Sequence, residues 1–260
     1  MTSHRNRSVF VRATVVACGT AAHAQPVQLR VTVRNLAPTN SVSYAPLRVG
    51  FNNGTFDAFN NGMAPTAPII SIAEGGSGSD WFPAFAAADP TATLGTVVGM
   101  PAGPLLPGAT ASTVFTVDPS INRFFTFAAM VVPSNDHFIG NDNPMQYLLF
   151  NGAGQLNIST ISQFGRDIWD NGSETEDPAN AAFLVGGINA NRTPQNGVVN
   201  FNFDRLDTFN GLTTAAGYTF QRQFGANDEV YRISFEVVPA PGAATVLGLG
   251  GLLAARRRRR

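Results

Sequence analysis

Eight consecutive residues, Val27-Gln28-Leu29-Arg30-Val31-Thr32-Val33-Arg34, alternate apolar and polar side chains without a fault. A period of two sends one set of side chains into a core and the other into water, which only a half-buried β-strand can do. The end of the chain repeats the pattern, with Tyr231, Ile233, Phe235 and Val237 on one side and Arg232, Ser234 and Glu236 on the other. Further β-rich runs fall at Leu47 to Phe51, Thr113 to Val117, Phe124 to Val132 and Val198 to Phe203. Asn-Gly pairs at 53, 61, 151, 171, 196 and 210 supply turns, since Asn tolerates the positive φ that tight turns demand. No segment carries a long helical period with caps, although Met145 to Phe150 suits a short turn of helix. Many strands, many turns and few short helices predict an all-β fold, an antiparallel β-sandwich, with the 20 phenylalanines filling much of its core. There is no internal repeat, and Gly75-Gly76-Ser77-Gly78-Ser79 is expected to be a flexible loop.

At 260 residues and 44% apolar content, the chain suits one principal domain. Its formal charge of zero hides an uneven distribution, because all the basic side chains are arginine and eight of them sit near the two ends. Between Gln25 and Val238 nine arginines face 17 acidic residues, a balance of −8 that gives no affinity for polyanions and so no nucleic-acid partner. The single cysteine, Cys18, and two of the three histidines, His4 and His23, fall in the first 24 residues. The body therefore has no thiol, no disulfide and one histidine, His137, which removes zinc–cysteine chemistry and leaves a Ser-His-Asp hydrolase only one possible base.

The two ends carry the signals of an exported protein. Residues 1–24 open with Arg5, Arg7 and Arg12, pass through Ala13-Thr14-Val15-Val16-Ala17, and close on Ala22-His23-Ala24, the order of a secretory signal peptide. Val15-Val16-Ala17-Cys18 offers the alternative of a lipoprotein signal. At the other end, Val238-Pro239-Ala240-Pro241 precedes 14 residues that are apolar or glycine except for Thr245, and then Arg256 to Arg260. That stretch is shorter than the roughly 20 residues a straight membrane-spanning helix needs, so it suits a transient membrane stop held by the arginine cluster. A permanent anchor helix is the alternative, opposed by Gly242, Gly248, Gly250 and Gly251. The tripartite tail resembles the PEP-CTERM class of bacterial sorting signals, with Ala240 where that class normally has Glu. The resemblance implies delivery to the cell surface, outer membrane or extracellular space. The expected organisation is a signal peptide over 1–24, a β-sandwich domain over 25–237 and a sorting segment over 238–260.

Candidate chemistry gathers in oxygen-rich loops: Ser134-Asn135-Asp136-His137-Phe138-Ile139-Gly140-Asn141-Asp142, and Asp170-Asn171-Gly172-Ser173-Glu174 running on to Glu176-Asp177. In Asp170-x-Gly172-x-Glu174, Gly172 can fold two carboxylates toward one point, and hard oxygen ligands suit Ca²⁺ or Mg²⁺. By spacing alone such loops are equally solvated turns. The EF-hand pattern is absent.

The run Met130-Val131-Val132-Pro133-Ser134-Asn135-Asp136-His137-Phe138-Ile139-Gly140, followed about thirty residues later by Ile168-Trp169-Asp170-Asn171-Gly172-Ser173-Glu174, resembles the paired signature of the spondin-domain family. The resemblance implies a C2-like sandwich that holds one divalent cation, Ca²⁺ first among them, near one edge. Its ligand positions fall on Asp136, Asp170 and Glu174, with Asp142 as an outer partner. It further implies a non-catalytic adhesion module of the cell surface or extracellular matrix, with a protein or polysaccharide ligand. Two alternatives are carried forward: a secreted carbohydrate-binding module presenting Trp81 or Trp169, and a glycoside hydrolase using two carboxylates of the acidic loops.

Overall fold

A computed structural model describes residues 25–239. The leader expected over 1–24, and the sorting segment beyond Pro239, lie outside the described residues. The strands are β1 (Val27–Asn35), β2 (Ser43–Tyr44), β3 (Leu47–Asn52), β4 (Thr93–Val97), β5 (Thr110–Val117), β6 (Phe124–Val132), β7 (His137–Gly140), β8 (Thr160–Phe164), β9 (Trp169–Asp170), β10 (Asn200–Phe201) and β11 (Glu229–Val238). Two short helices, α1 (Ala67–Ala73) and α2 (Trp81–Ala88), lie between β3 and β4. The expected all-β antiparallel sandwich is what the chain forms.

One sheet has the order β5-β1-β11-β8, and the other runs β10-β9-β7-β6-β3-β4 with β2 also paired to β6. Alternation in β1 does what the sequence requires of it: Leu29, Val31 and Val33 are buried in the core. Their partners across the antiparallel ladder are Val237, Phe235 and Ile233. On the outer face Arg30 stands opposite Glu236, and the pair closes to 2.7 Å. Rings from the two sheets meet, with Phe125 edge to face against Phe235 at 4.8 Å and Tyr44 tilted against Tyr231 at 4.5 Å.

The run Phe124 to Val132 is buried on both faces, which is why it shows no alternation. Phe125, Phe127, Ala129 and Val131 join the core between the sheets. Ala128 faces the other way, into a second apolar layer built by Phe56, Phe59, Ile72, Trp81, Phe85, Phe138 and Trp169. The two helices supply much of that layer, and Gly50 permits their approach, because a Cβ there would sit 2.4 Å from the Phe85 ring.

Three local expectations are corrected. Met145 to Phe150 forms a turn followed by isolated bridges of Leu148 to Phe124 and Phe150 to Leu156, with no helix. Within Val198 to Phe203 only Asn200–Phe201 is strand, because a 3₁₀ turn begins at Phe203. In the Asn-Gly turns at 53, 61, 171 and 210 the positive φ falls on the glycine and not on the asparagine. Among the described residues no helix is long and apolar enough to cross a membrane.

Candidate functional site

The two acidic loops meet, and the sheet brings them together. β7 pairs with β9 so that His137 opposes Asp170 and Phe138 opposes Trp169. Directly opposed residues place their side chains on the same face, so the first residue of one loop's strand stands beside the last residue of the other's. The chain can then turn sharply after Asp170 because Gly172 takes a φ of +66°.

Asp136 is fully buried and holds the second loop in place. Its Oδ2 accepts hydrogen bonds from the Ser173 N–H at 2.8 Å, the Glu174 N–H at 3.0 Å and the Ser173 hydroxyl at 3.3 Å. Asn135 makes a parallel stitch, donating from Nδ2 to Glu174 Oε1 at 3.0 Å while its own Oδ1 accepts from the Asp177 N–H. The loops are therefore joined by direct bonds before any ion is considered.

The expected ligands then separate by role. Both oxygens of Asp170 have protein partners, Oδ1 taking the Gly172 N–H at 2.8 Å and Oδ2 taking Asn202 Nδ2 at 3.1 Å. Asp170 thus acts as a brace for the turn. Asp136 and Glu174 each keep one buried oxygen, Oδ1 and Oε2, without a hydrogen-bond partner. The three side chains whose donor atoms all fall within 4.8 Å of one another are Asp136, His137 and Glu176. His137 and Glu176 are absent from the ligand set expected from sequence. A signal existed for each: His137 is the only histidine of the body and adjoins Asp136, and Glu176 belongs to the acidic run from Glu174 to Asp177.

His137 is oriented for this role. Its Nε2 lies 3.1 Å from the Asn202 carbonyl oxygen, which fixes a proton on that nitrogen and turns Nδ1 toward Glu176 Oε1, also 3.1 Å away. That second contact is within ion-pair range yet not aligned as a hydrogen bond, and both atoms lack a bonded partner. Across the two loops six buried atoms are in this state: Asp136 Oδ1, His137 Nδ1, Asn171 Oδ1, Glu174 Oε2 and both oxygens of Glu176. When the carboxyls are ionised, none of the oxygens can donate. Unpaired buried acceptors cost about 1–3 kcal/mol apiece, and a set composed of acceptors is satisfied by a cation more readily than by further protein dipoles.

The electrostatics run the same way. Burial pushes the Asp136 carboxyl up to about 6, helped by the nearby Asp170 and opposed by His137 and the Glu174 amide. Burial also pushes Glu174 up to about 7, against the Asn135 bond that favours its ionised form. For His137 burial alone lowers the affinity for a proton, but the Glu176 carboxylate, with Asp170 and Asp136 behind it, outweighs burial and holds the imidazole at about 9. All three shifts favour the protonated forms, as expected where buried negative charge lacks a compensating cation.

Compared with known proteins, the chain matches no family model and no curated protein. The reading of the site therefore stands on its own geometry. Trp81 is fully buried in the second apolar layer, away from any ligand, while Trp169 is nearly buried and stacks its ring on the half-exposed Phe201 at 3.6 Å.

Proposed function

We propose that this chain is an exported, non-catalytic binding module of the spondin type, active by adhesion at the cell surface or in the matrix, whose edge loops are locked by one divalent cation. The observation that carries the cation is the set of buried oxygens in the two loops without hydrogen-bond partners, Asp136 Oδ1, Asn171 Oδ1, Glu174 Oε2 and Glu176 Oε2, beside the close His137–Glu176 contact. Asp136 Oδ1, His137 Nδ1 and Glu176 are the inner donors, Glu174 Oε2 a further one, and Asp170 positions the turn. A bound cation would neutralise the facing carboxylates and fix the loop geometry.

Ca²⁺ remains the first ion to test, since carboxylate oxygens dominate the donor set. The imidazole nitrogen makes Mn²⁺ and Zn²⁺ the comparison ions, because oxygen-only sets are what Ca²⁺ prefers. A binding role is favoured over hydrolysis by the sealing of Asp136 and Glu174 from solvent, 0% and 1% exposed. A glycosidic bond could not be placed between them.

Titration calorimetry and thermal shift on the chelator-treated protein test the reading. One ion bound per chain with a rise in melting temperature is expected. Absence of both heat and shift with Ca²⁺, Mn²⁺ and Zn²⁺ alike would reject the cation site.

A further inference from the structure

A second feature lies where the two sheets part along an open edge. The short strand β8, at the edge of one sheet, faces β7, β9 and β10 of the other across a cleft of about 460 Å³. Ligand sites commonly occupy clefts of about 300–1,000 Å³. None of Asp136, His137, Glu174 or Glu176 lines it, so it is separate from the cation cluster.

The lining combines two chemistries. Tyr147, Phe164, Trp169 and Phe201 contribute aromatic surface. Phe201 has one face stacked on Trp169 and is 49% exposed, so its other face is available to a flat apolar partner. Around these rings stand groups that both donate and accept, with Gln146, Gln163 and Asn143 foremost. Gln146 Nε2 donates to the Tyr147 hydroxyl at 3.1 Å. Gln163, 4% exposed, forms part of the wall and donates its own amide N–H to the Ser162 carbonyl at 3.2 Å.

Charge narrows the class of ligand. Asp142 and Asp167 add two carboxylates, and Arg166 is the only basic lining residue. Its guanidinium lies 4.6 Å above the Phe164 ring and bonds to Asn227, so it is already engaged. A sulfated, phosphorylated or uronic chain would meet acid and no free cation. A neutral sugar offers what the cleft can use: an apolar C–H face for the ring of Phe201 and hydroxyls for amide and carboxylate groups.

We propose that this cleft binds a neutral oligosaccharide chain, stacked on Phe201 and hydrogen-bonded by Gln146. It rests on the module reading above only in taking the chain to be an extracellular binding protein. Polysaccharide is thereby chosen over protein as the adhesion ligand.

The experiment uses the full chain in buffer saturated with the cation that binds it, or with Ca²⁺ if none does. Affinity electrophoresis and calorimetry are run against soluble neutral glucans, xylans, mannans and chito-oligosaccharides, with heparin and polygalacturonate as anionic comparisons and an extended-peptide library as a third arm. Binding to at least one neutral glycan is expected, weakened about tenfold or more by either Phe201→Ala or Gln146→Ala, with melting temperature checked for both. Gln146 is an exposed loop residue, so its variant keeps the test decisive if the Phe201 variant folds poorly. Binding of no neutral glycan, retention of affinity in both variants, or preference for anionic glycans or peptides would overturn the inference. A protein that takes up cation but no glycan fails this inference alone, and one that takes up glycan but no cation fails only the cation reading.

Discussion

Asp136 is the residue on which both the architecture and the chemistry of the loops turn, because one of its oxygens holds Ser173 and Glu174 while the other faces the cation cluster. Asp136→Ala should lower stability by about 2–4 kcal/mol even without cation, since it leaves buried N–H groups unpaired, and urea unfolding of the chelator-treated variant would measure it. Glu176→Gln leaves those bonds intact but takes the charge away from His137, so the cation-free protein should lose the stability that His137 gains at neutral pH, and cation affinity should fall at least about tenfold. The protonation states give a third expectation. Asp136, Glu174 and His137 are all held above their ordinary values, at about 6, 7 and 9. A raised value in the folded state means stabilisation that is complete below the ordinary value and lost as pH rises through the shifted one. The cation-free protein should therefore lose stability steadily from about pH 4 to about pH 9, first through the carboxyls and then through His137. Cation binding at neutral pH should release protons, seen as a binding heat that varies with the ionisation enthalpy of the buffer.

At the scale of elements, the turn after β9 depends on Gly172. A Cβ there would meet the backbone of Val198 at 2.7 Å, and the φ of +66° is one that side chains rarely adopt. Gly172→Ala should cost about 2–4 kcal/mol and abolish high-affinity cation binding together, since the turn carries Ser173 and Glu174 to Asp136. Thermal melts with and without cation would show both losses in one experiment. The same turn marks where sequence reasoning succeeded. Long alternating strands such as β1 and β11 were legible because one face is wet, and β6 because an unbroken apolar run bounded by turns has few other fates. The two-residue strands β2, β9 and β10 were not, because their existence depends on a distant partner and not on local pattern. The helices escaped notice for a related reason: α1 and α2 are seven and eight residues long, too short to display a period, and they form by covering one face of a sheet. In the site, both acidic loops were visible in the sequence, whereas which of their side chains approach one another is set by the fold. Both oxygens of Asp170 are taken by its turn and Asn202, whereas His137 comes beside Asp170 only once β7 and β9 pair.

For the whole molecule, the cation should act as a ligand of the folded state only, raising stability by about 2.7 kcal/mol at one hundred times its dissociation constant. The gain should appear as a melting temperature that climbs with the logarithm of cation concentration, and a melting temperature independent of concentration would contradict it. The core itself asks for no such help, since the sheets are joined by rings and aliphatic side chains on all sides. The pairing of β1 with β11 has a further consequence. Gln28 lies opposite Val238, and β8 is attached to its sheet solely through β11. Until residue 238 has left the ribosome, one wall of the sandwich has no centre, and β8 has nothing to dock against. That wall closes only when β11 arrives, so the centre of the sheet waits on the pairing most distant in sequence.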